Sequence, residues 1–202
     1  QGDILELDPA ALMRIGFRQN TGCDQFKTVA NLPYYITSAV LRHLLEADRS
    51  PARIVVTVQL EVARRIVAQP GDMSMLAISV QFYGHPRILF HIKPGSFYPQ
   101  PTVKSAVVQI DRHLAPPVLI ADPDRLFRVA RAGFSQRRKQ LRNSLAAGLS
   151  LPVPQVTAIL TQASVDPRRR AQTLTLAEWA DIARLVPDTE SDDTGTAVSD
   201  VR

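Results

Sequence analysis

The sequence predicts an α/β protein: a mostly parallel sheet that ends in an antiparallel hairpin, followed by a small all-helical unit. In the first half, short runs rich in β-branched residues alternate with segments of helical periodicity. That half closes on two strands in succession, which calls for a hairpin. From Asp122 onward every apolar pattern is helical. Composition bounds the class. The 202 residues are 45% hydrophobic and 21% charged, enough to bury a real core. A lone Cys23 excludes a disulfide-stapled fold, and no apolar run approaches the roughly 20 residues of a membrane span. The first residues lack a basic-then-apolar signal, so a reducing, cytoplasmic location and no membrane partner are expected.

Taken in order, Phe26–Ala30 (FKTVA) and Arg53–Leu60 (RIVVTVQL) read as strands. Between them, Thr37–Ala47 sets Val40, Leu41, Leu44 and Leu45 at helical spacing. Glu61–Ala68 and Ser74–Tyr83 continue as helices, and Arg87–Ile92 and Lys104–Ile110 are strands joined by the Pro-rich stretch Lys93–Thr102. Asp122-Pro123 is an N-cap with Pro at the first helical position. Thr175 and Glu178 have capping-box spacing ahead of Trp179, Ile182 and Leu185, with Trp179 expected in the core. Helices are predicted over 123–134, 137–148, 153–163 and 175–186. Pro116-Pro117 marks a boundary, so residues 1–115 are assigned to the sheet domain, 116–187 to the helical domain and 188–202 to a disordered tail.

Charge is uneven along the chain. The total is +5, yet residues 116–187 hold eleven bases against five acids, while 188–202 hold five acids and one base. Between Arg125 and Arg142 there are seven basic residues and no acid. A solvated helix face usually mixes signs in i,i+4 pairs, so a uniform sign points to a polyanion. Arg137, Arg138 and Lys139 are the expected RNA contacts, with Arg142 and Lys104 beside them. Arg168-Arg169-Arg170 and Arg64-Arg65 suit either an RNA contact or a helix surface. His43, His85, His91 and His113 are scattered and there is one Cys, so no metal site is expected.

Asn31-Leu32-Pro33-Tyr34 follows directly on the first strand. In open α/β sheets ligands bind outside the carboxyl ends of the strands, so a reacting group belongs there. These residue types suit one chemical problem. An amine on an aromatic base is a poor nucleophile because its lone pair is delocalised into the ring. Two acceptors that hold its N–H bonds out of plane localise that pair toward an electrophile. An Asn side-chain carbonyl and a backbone carbonyl next to Pro supply them, and a Tyr ring holds the base by stacking. The same tetrapeptide also suits a plain strand-to-helix turn.

Asn31-Leu32-Pro33-Tyr34-Tyr35-Ile36 resembles the catalytic motif of the ribosomal RNA adenine dimethyltransferases, the KsgA/RsmA-like family. Further segments agree in order and spacing: Gly2–Leu5, Gln59–Arg65, Phe97–Val108 and Phe134–Leu145. The resemblance runs from residue 2 to about 186. It implies a Rossmann-like methyltransferase sheet, and S-adenosylmethionine as co-substrate. The implied reaction places two methyl groups on the exocyclic amine of each of two adjacent adenosines, near the 3′ end of small-subunit ribosomal RNA. The implied partner is that RNA in a 30S-type precursor particle, with a role in ribosome biogenesis. By the same resemblance Asn31 orients the amine and borders the methyl donor, and Leu32 offers a main-chain acceptor. Tyr34 stacks on the target adenine, Phe97 closes the other face of the base pocket, and Asp3 hydrogen-bonds the cofactor's adenine. Read without the resemblance, Phe97 also suits a packing loop and Asp3 an ordinary turn.

The sequence departs from the family in one respect. Its nine glycines include no pair one residue apart, so the Gly-rich turn that cradles the cofactor's methionine end is missing, along with the strand before it. The expectation is an incomplete sheet with an open apolar edge, in a chain that alone binds S-adenosylmethionine weakly and is inactive. A non-catalytic RNA-binding or ribosome-assembly factor of the same fold is the alternative.

Overall fold

The computed structural model describes residues 2–16 and 25–187. Cys23 and the acidic tail 188–202 lie outside the described residues. Four strands form one sheet: β1 (Lys27–Asn31), β2 (Arg53–Gln59), β3 (Gly84–Ile92) and β4 (Ser105–Arg112), in the order β1-β2-β4-β3. β1 and β2 are parallel, with Asn31 opposite Thr57. β4 runs antiparallel to both β2 and β3 and lies between them. The sheet is therefore mixed, and the two antiparallel pairings come from that one inserted strand.

Burial explains the placement. β4 is buried from Ser105 to Ile110 on both faces, as a central strand must be, whereas β2 alternates, with Ile54, Val56 and Val58 turned inward. β3 begins three residues earlier than predicted and takes in Pro86, because an edge strand tolerates a residue without an N–H. Its Leu89 and Phe90 are exposed, beside a register shift between Ile88 and Phe90. β1 starts one residue late and ends on Asn31 itself. On the other edge β1 has a neighbour on one side only among the described strands, and Val29 there is 79% exposed.

The helices are α1 (Pro9–Gly16), α2 (Thr37–Glu46), α3 (Leu60–Ile66), α4 (Met75–Tyr83), α5 (Pro123–Phe134), α6 (Leu141–Leu149), α7 (Val153–Gln162) and α8 (Leu176–Leu185). α1 was not foreseen, yet its start carries the signal that marks α5, an Asp before a Pro. The Asp8 carboxylate accepts from the Ala10 and Ala11 amides at 2.9 and 3.1 Å, as Asp122 accepts from Asp124 at 2.9 Å. Ser74 caps α4 by accepting from the Ala77 amide. Among the described residues no single helix is long and apolar enough to cross a membrane.

Two apolar cores result, and α4 serves both. Leu76 and Val80 join Val40, Leu41, Leu44 and Leu45 of α2 against Ile54, Val56, Val108 and Ile110 of the sheet. Ala77, Ile78 and Phe82 join Leu126, Leu141, Leu145, Leu160, Trp179 and Ile182 of the helical half. A helix that buries two faces has to be apolar over most of its circumference, and in MLAISVQFY only Ser79 and Gln81 interrupt the apolar surface, Gln81 donating to the Ile66 and Ala68 carbonyls. Each fully buried Leu, Ile or Phe contributes roughly 1.5–3 kcal/mol, so α4 ties the two halves together strongly.

α6 starts at Leu141, four residues later than predicted. Gln140 is extended, the Leu141 amide donates to the Arg169 carbonyl at 2.7 Å, and Ser144 Oγ donates to the Gln136 carbonyl. Arg137, Arg138 and Lys139 are left in the turn between α5 and α6. Arg169 itself is a clamp. Its guanidinium donates to Glu178 Oε1 at 2.5 Å and Oε2 at 3.2 Å, and to the Thr173 carbonyl at 2.6 Å. Glu178 also accepts from the Thr175 amide at 2.7 Å, completing the foreseen capping box. Burial works to raise the Glu178 carboxyl, but the bonds from Arg169 and Thr175 prevail and hold it below its ordinary value of 4.5.

Two outcomes follow from this packing. A Cβ built on Gly148 meets Ala132 Cα and Cβ at 2.6 Å, where α5 and α6 cross. Gly148→Ala should therefore lower the urea-unfolding free energy by about 1–3 kcal/mol, where an unpacked helix site would gain up to about 1 kcal/mol. Because the Glu178 carboxyl is depressed in the fold, its stabilisation is full above the unfolded value and fades as pH falls through the folded one. Arg169→Ala should cost about 1–3 kcal/mol at pH 7, and that gap should narrow below about pH 4 in denaturation curves.

Candidate functional site

The register brings three chain reversals to one end of the sheet. Asn31 ends β1, Gln59 of β2 stands opposite Ser105 of β4, and Ile92 of β3 stands opposite Ser105 from the other side. The turn after β1, the start of α3 after β2, and the connection 93–104 between β3 and β4 therefore share the carboxyl end of the parallel strands. The Leu60 amide donates to the Lys104 carbonyl at 2.9 Å, binding the second of these to the third.

Within the first turn each residue has a distinct environment. Asn31 is exposed, Leu32 is 7% exposed and anchors the turn in the sheet-side core, and Pro33 is extended. Tyr34–Ile36 forms a single 3-10 turn leading into α2. The Pro33 carbonyl accepts from the Ile36 amide at 3.3 Å and from the hydroxyl of buried Thr37 at 3.4 Å. That carbonyl is thereby committed to the turn. The Asn31 side chain stands in solvent at the strand's end, as a group that meets a ligand must.

Tyr34 is half-buried, and its hydroxyl lies 2.7 Å from Oγ of Ser105, which is wholly buried. Phe97, half-buried, follows the 3-10 turn Pro94–Ser96, and its amide donates to the Pro94 carbonyl at 3.2 Å. A cis peptide joins Tyr98 to Pro99 just beyond it. The Phe97 and Tyr34 rings share no ring–ring contact among the described residues. Ser105 and Thr37 escaped the sequence reading. The first stands inside the Phe97–Val108 motif, but nothing in a sequence pairs it with a tyrosine 71 positions away.

Asp3 is exposed, and one of its carboxylate oxygens accepts from the Leu5 amide at 2.9 Å, closing the turn over residues 4–6. This stretch is held beside α2: His43 Nε2 lies 2.9 Å from the Leu7 carbonyl, and Ile4 and Leu5 pack against the sheet-side core. Arg137, Arg138, Lys139 and Lys104 are exposed, whereas Arg142 is half-buried with its Nε withdrawn from solvent. The Arg168-Arg169-Arg170 run divides. Arg168 pairs with Asp166 at 3.2 Å, Arg169 is consumed by Glu178, and Arg170 is exposed. Arg64 and Arg65 are exposed on α3. A 390 Å³ cleft lies elsewhere, between α2, α4 and α5, lined by Leu41, Leu45, Val80 and Phe127. Arg65 and Arg131, from the basic runs singled out in the sequence, border it, whereas Asp3, Asn31–Tyr34, Phe97 and Arg137–Lys139 do not.

Comparison with known proteins places the chain in a family. The chain matches the model of the Ribosomal RNA adenine dimethylase family over residues 1–186. It is 47% identical over 177 residues to Ribosomal RNA small subunit methyltransferase A of Dehalococcoides mccartyi, covering 88% of this chain and 58% of that protein. It is 44% identical over 186 residues to the protein of the same name from Desulfitobacterium hafniense, covering 91% of this chain and 66% of that one. The chain thus spans about three-fifths of the length of these curated relatives. Its fold is shared with the 23S rRNA methyltransferase ErmE (TM-score 0.64, 23% identity, 91% of this chain and 69% of that one). It is shared equally with a dimethyladenosine transferase from Plasmodium falciparum (TM-score 0.65, 20% identity, 78% and 65%). With the Rossmann-like sheet and the Asn31–Tyr34 turn at its carboxyl end, the match along nearly the whole described chain assigns it to the ribosomal RNA adenine dimethylase family.

Proposed function

We propose that this chain carries the base pocket and the RNA-binding surface of a methyltransferase that uses S-adenosylmethionine. Its reaction is dimethylation of two adjacent adenosines near the 3′ end of small-subunit ribosomal RNA, in a cytoplasmic 30S-type precursor. The observation that carries the proposal is the Asn31–Tyr34 turn, with an exposed carboxamide beside a ring whose hydroxyl is anchored. The names of the curated relatives support the substrate class. In this reading residues 1–115 hold the reacting groups and 116–187 grip the RNA.

The chemistry rests on acceptors. Extruding a base from its stack costs a few kcal/mol, and stacking on Tyr34 and Phe97 at roughly 1–3 kcal/mol per ring offsets it. Asn31 Oδ1 and the Leu32 carbonyl accept the two N–H bonds of the adenine amine, which turns the nitrogen lone pair toward the donor. With the Pro33 carbonyl already bonded to Ile36 and Thr37, the Leu32 carbonyl is the main-chain acceptor of choice. S-adenosylmethionine, when bound, would supply a sulfonium-bound methyl group, and Asn31 with the Leu32 carbonyl would hold the amine nitrogen toward it. Asp3, exposed and with one carboxylate oxygen beyond its Leu5 bond, suits a hydrogen bond to the donor's adenine.

In the whole protein carrying this chain, Asn31→Ala should abolish transfer of tritiated methyl groups to small-subunit ribosomal RNA, while RNA affinity stays within about twofold. Equal loss of both would assign Asn31 a structural role and favour a non-catalytic assembly factor. Replacing Arg137, Arg138 and Lys139 together by Ala should lower the slope of log affinity against log salt by about 2. An unchanged slope in filter-binding titrations would remove them from the interface.

A further inference from the structure

We propose that Ser105 is a positioning residue for the base pocket, fixing the tilt of the Tyr34 ring through the bond between their hydroxyls. The proposal rests on the reading of Tyr34 as the stacking platform for an extruded adenine. Tyr34 sits on a short turn, and its backbone alone leaves the ring free to swing about its side-chain torsions. Its hydroxyl meets Ser105 Oγ at 2.7 Å, within the normal range for a bond between two hydroxyls. Ser105 has no such freedom. It is wholly buried and faces Gln59 on one side and Ile92 on the other, at the junction of β2, β3 and β4. A ring tied to that point is tied to the stiffest part of the sheet.

Ser105 is also where the connection bearing Phe97 rejoins the sheet, since residues 93–104 leave from Ile92 and return to its partner Ser105. One residue thus anchors the Phe97 segment through its backbone and the Tyr34 ring through its side chain. The spacing of two stacking surfaces must match a purine, so a shared anchor sets the slot. A hydroxyl aimed at a half-buried tyrosine also gives the wholly buried Ser105 a partner for its polar side chain at the start of β4.

The test uses the 202-residue chain and a single-stranded RNA oligonucleotide with 2-aminopurine replacing one of two adjacent adenosines. Stacking quenches 2-aminopurine fluorescence, while anisotropy of an end label reports binding independently. The wild-type chain should bind and quench. Ser105→Ala and Tyr34→Phe should each weaken the quench by about threefold, the scale of one neutral hydrogen bond. The double variant should lose no more than either, and Ser105→Thr should keep most of the quench, with RNA binding by the two Ser105 variants changed by less than about twofold. Tyr34→Phe removes the same bond from the other side without touching the sheet, so a folding defect in Ser105→Ala does not blur the result. A quench that survives both single variants, or losses that add in the double, would overturn the role of Ser105 alone. A wild-type chain that binds without quenching would overturn the stacking reading and this role with it.

Discussion

The pairing of Ser105 with Gln59 on one side and Ile92 on the other is the constraint on which the rest depends. Because β4 enters the sheet antiparallel between β2 and β3, the carboxyl ends of three strands and the start of the fourth fall at one end. A slip of one residue would turn Ala106, Val108 and Ile110 away from the α2 side of the sheet and carry the Ser105 hydroxyl away from Tyr34. The apolar alternation that builds the sheet-side core is thus the same pattern that aligns the candidate pocket. Packing and site geometry are set by one register.

α4 supplies the second coupling. Leu76 and Val80 belong to the sheet-side core, and Ala77, Ile78 and Phe82 to the helical core. Phe82, Tyr83 and Phe127 form a ring cluster across the junction, with centroid separations of 4.9–6.0 Å. The basic turn at Arg137–Lys139 rides on the helical core, so its position relative to the sheet is carried by this apolar seam. An RNA strand gripped by that turn would be presented to the strand ends by packing, without a flexible linker between.

Much of this was legible in the sequence, for physical reasons. Strands and helices with strong periodicity, such as Arg53–Gln59 and Thr37–Glu46, fell within a residue of their predicted bounds because burial on one face dictates them. Caps were legible where a side chain meets its own backbone, as at Asp122 and Thr175. The late start of α6 was not, because it depends on the Arg169 carbonyl meeting the Leu141 amide across the fold. The division of Arg168–Arg170 was hidden for a more local reason: Arg169 meets Glu178, nine residues on, only once the 3-10 turn Ala171–Thr173 folds the chain back, while Arg168 pairs with nearby Asp166. At the candidate site, Asn31 and Tyr34 were visible as a local motif. Ser105 was not, since only the strand order brings it to Tyr34.

The central claim is that the end of the sheet grips an adenine so that its amine faces the Asn31 carboxamide. A crystal structure of this chain with an adenosine-containing RNA oligonucleotide addresses it most directly. The account predicts the adenine ring between Tyr34 and Phe97, with its exocyclic nitrogen about 3 Å from Asn31 Oδ1. An adenine seated in the cleft between α2, α4 and α5, or one whose amine points away from Asn31, would contradict it.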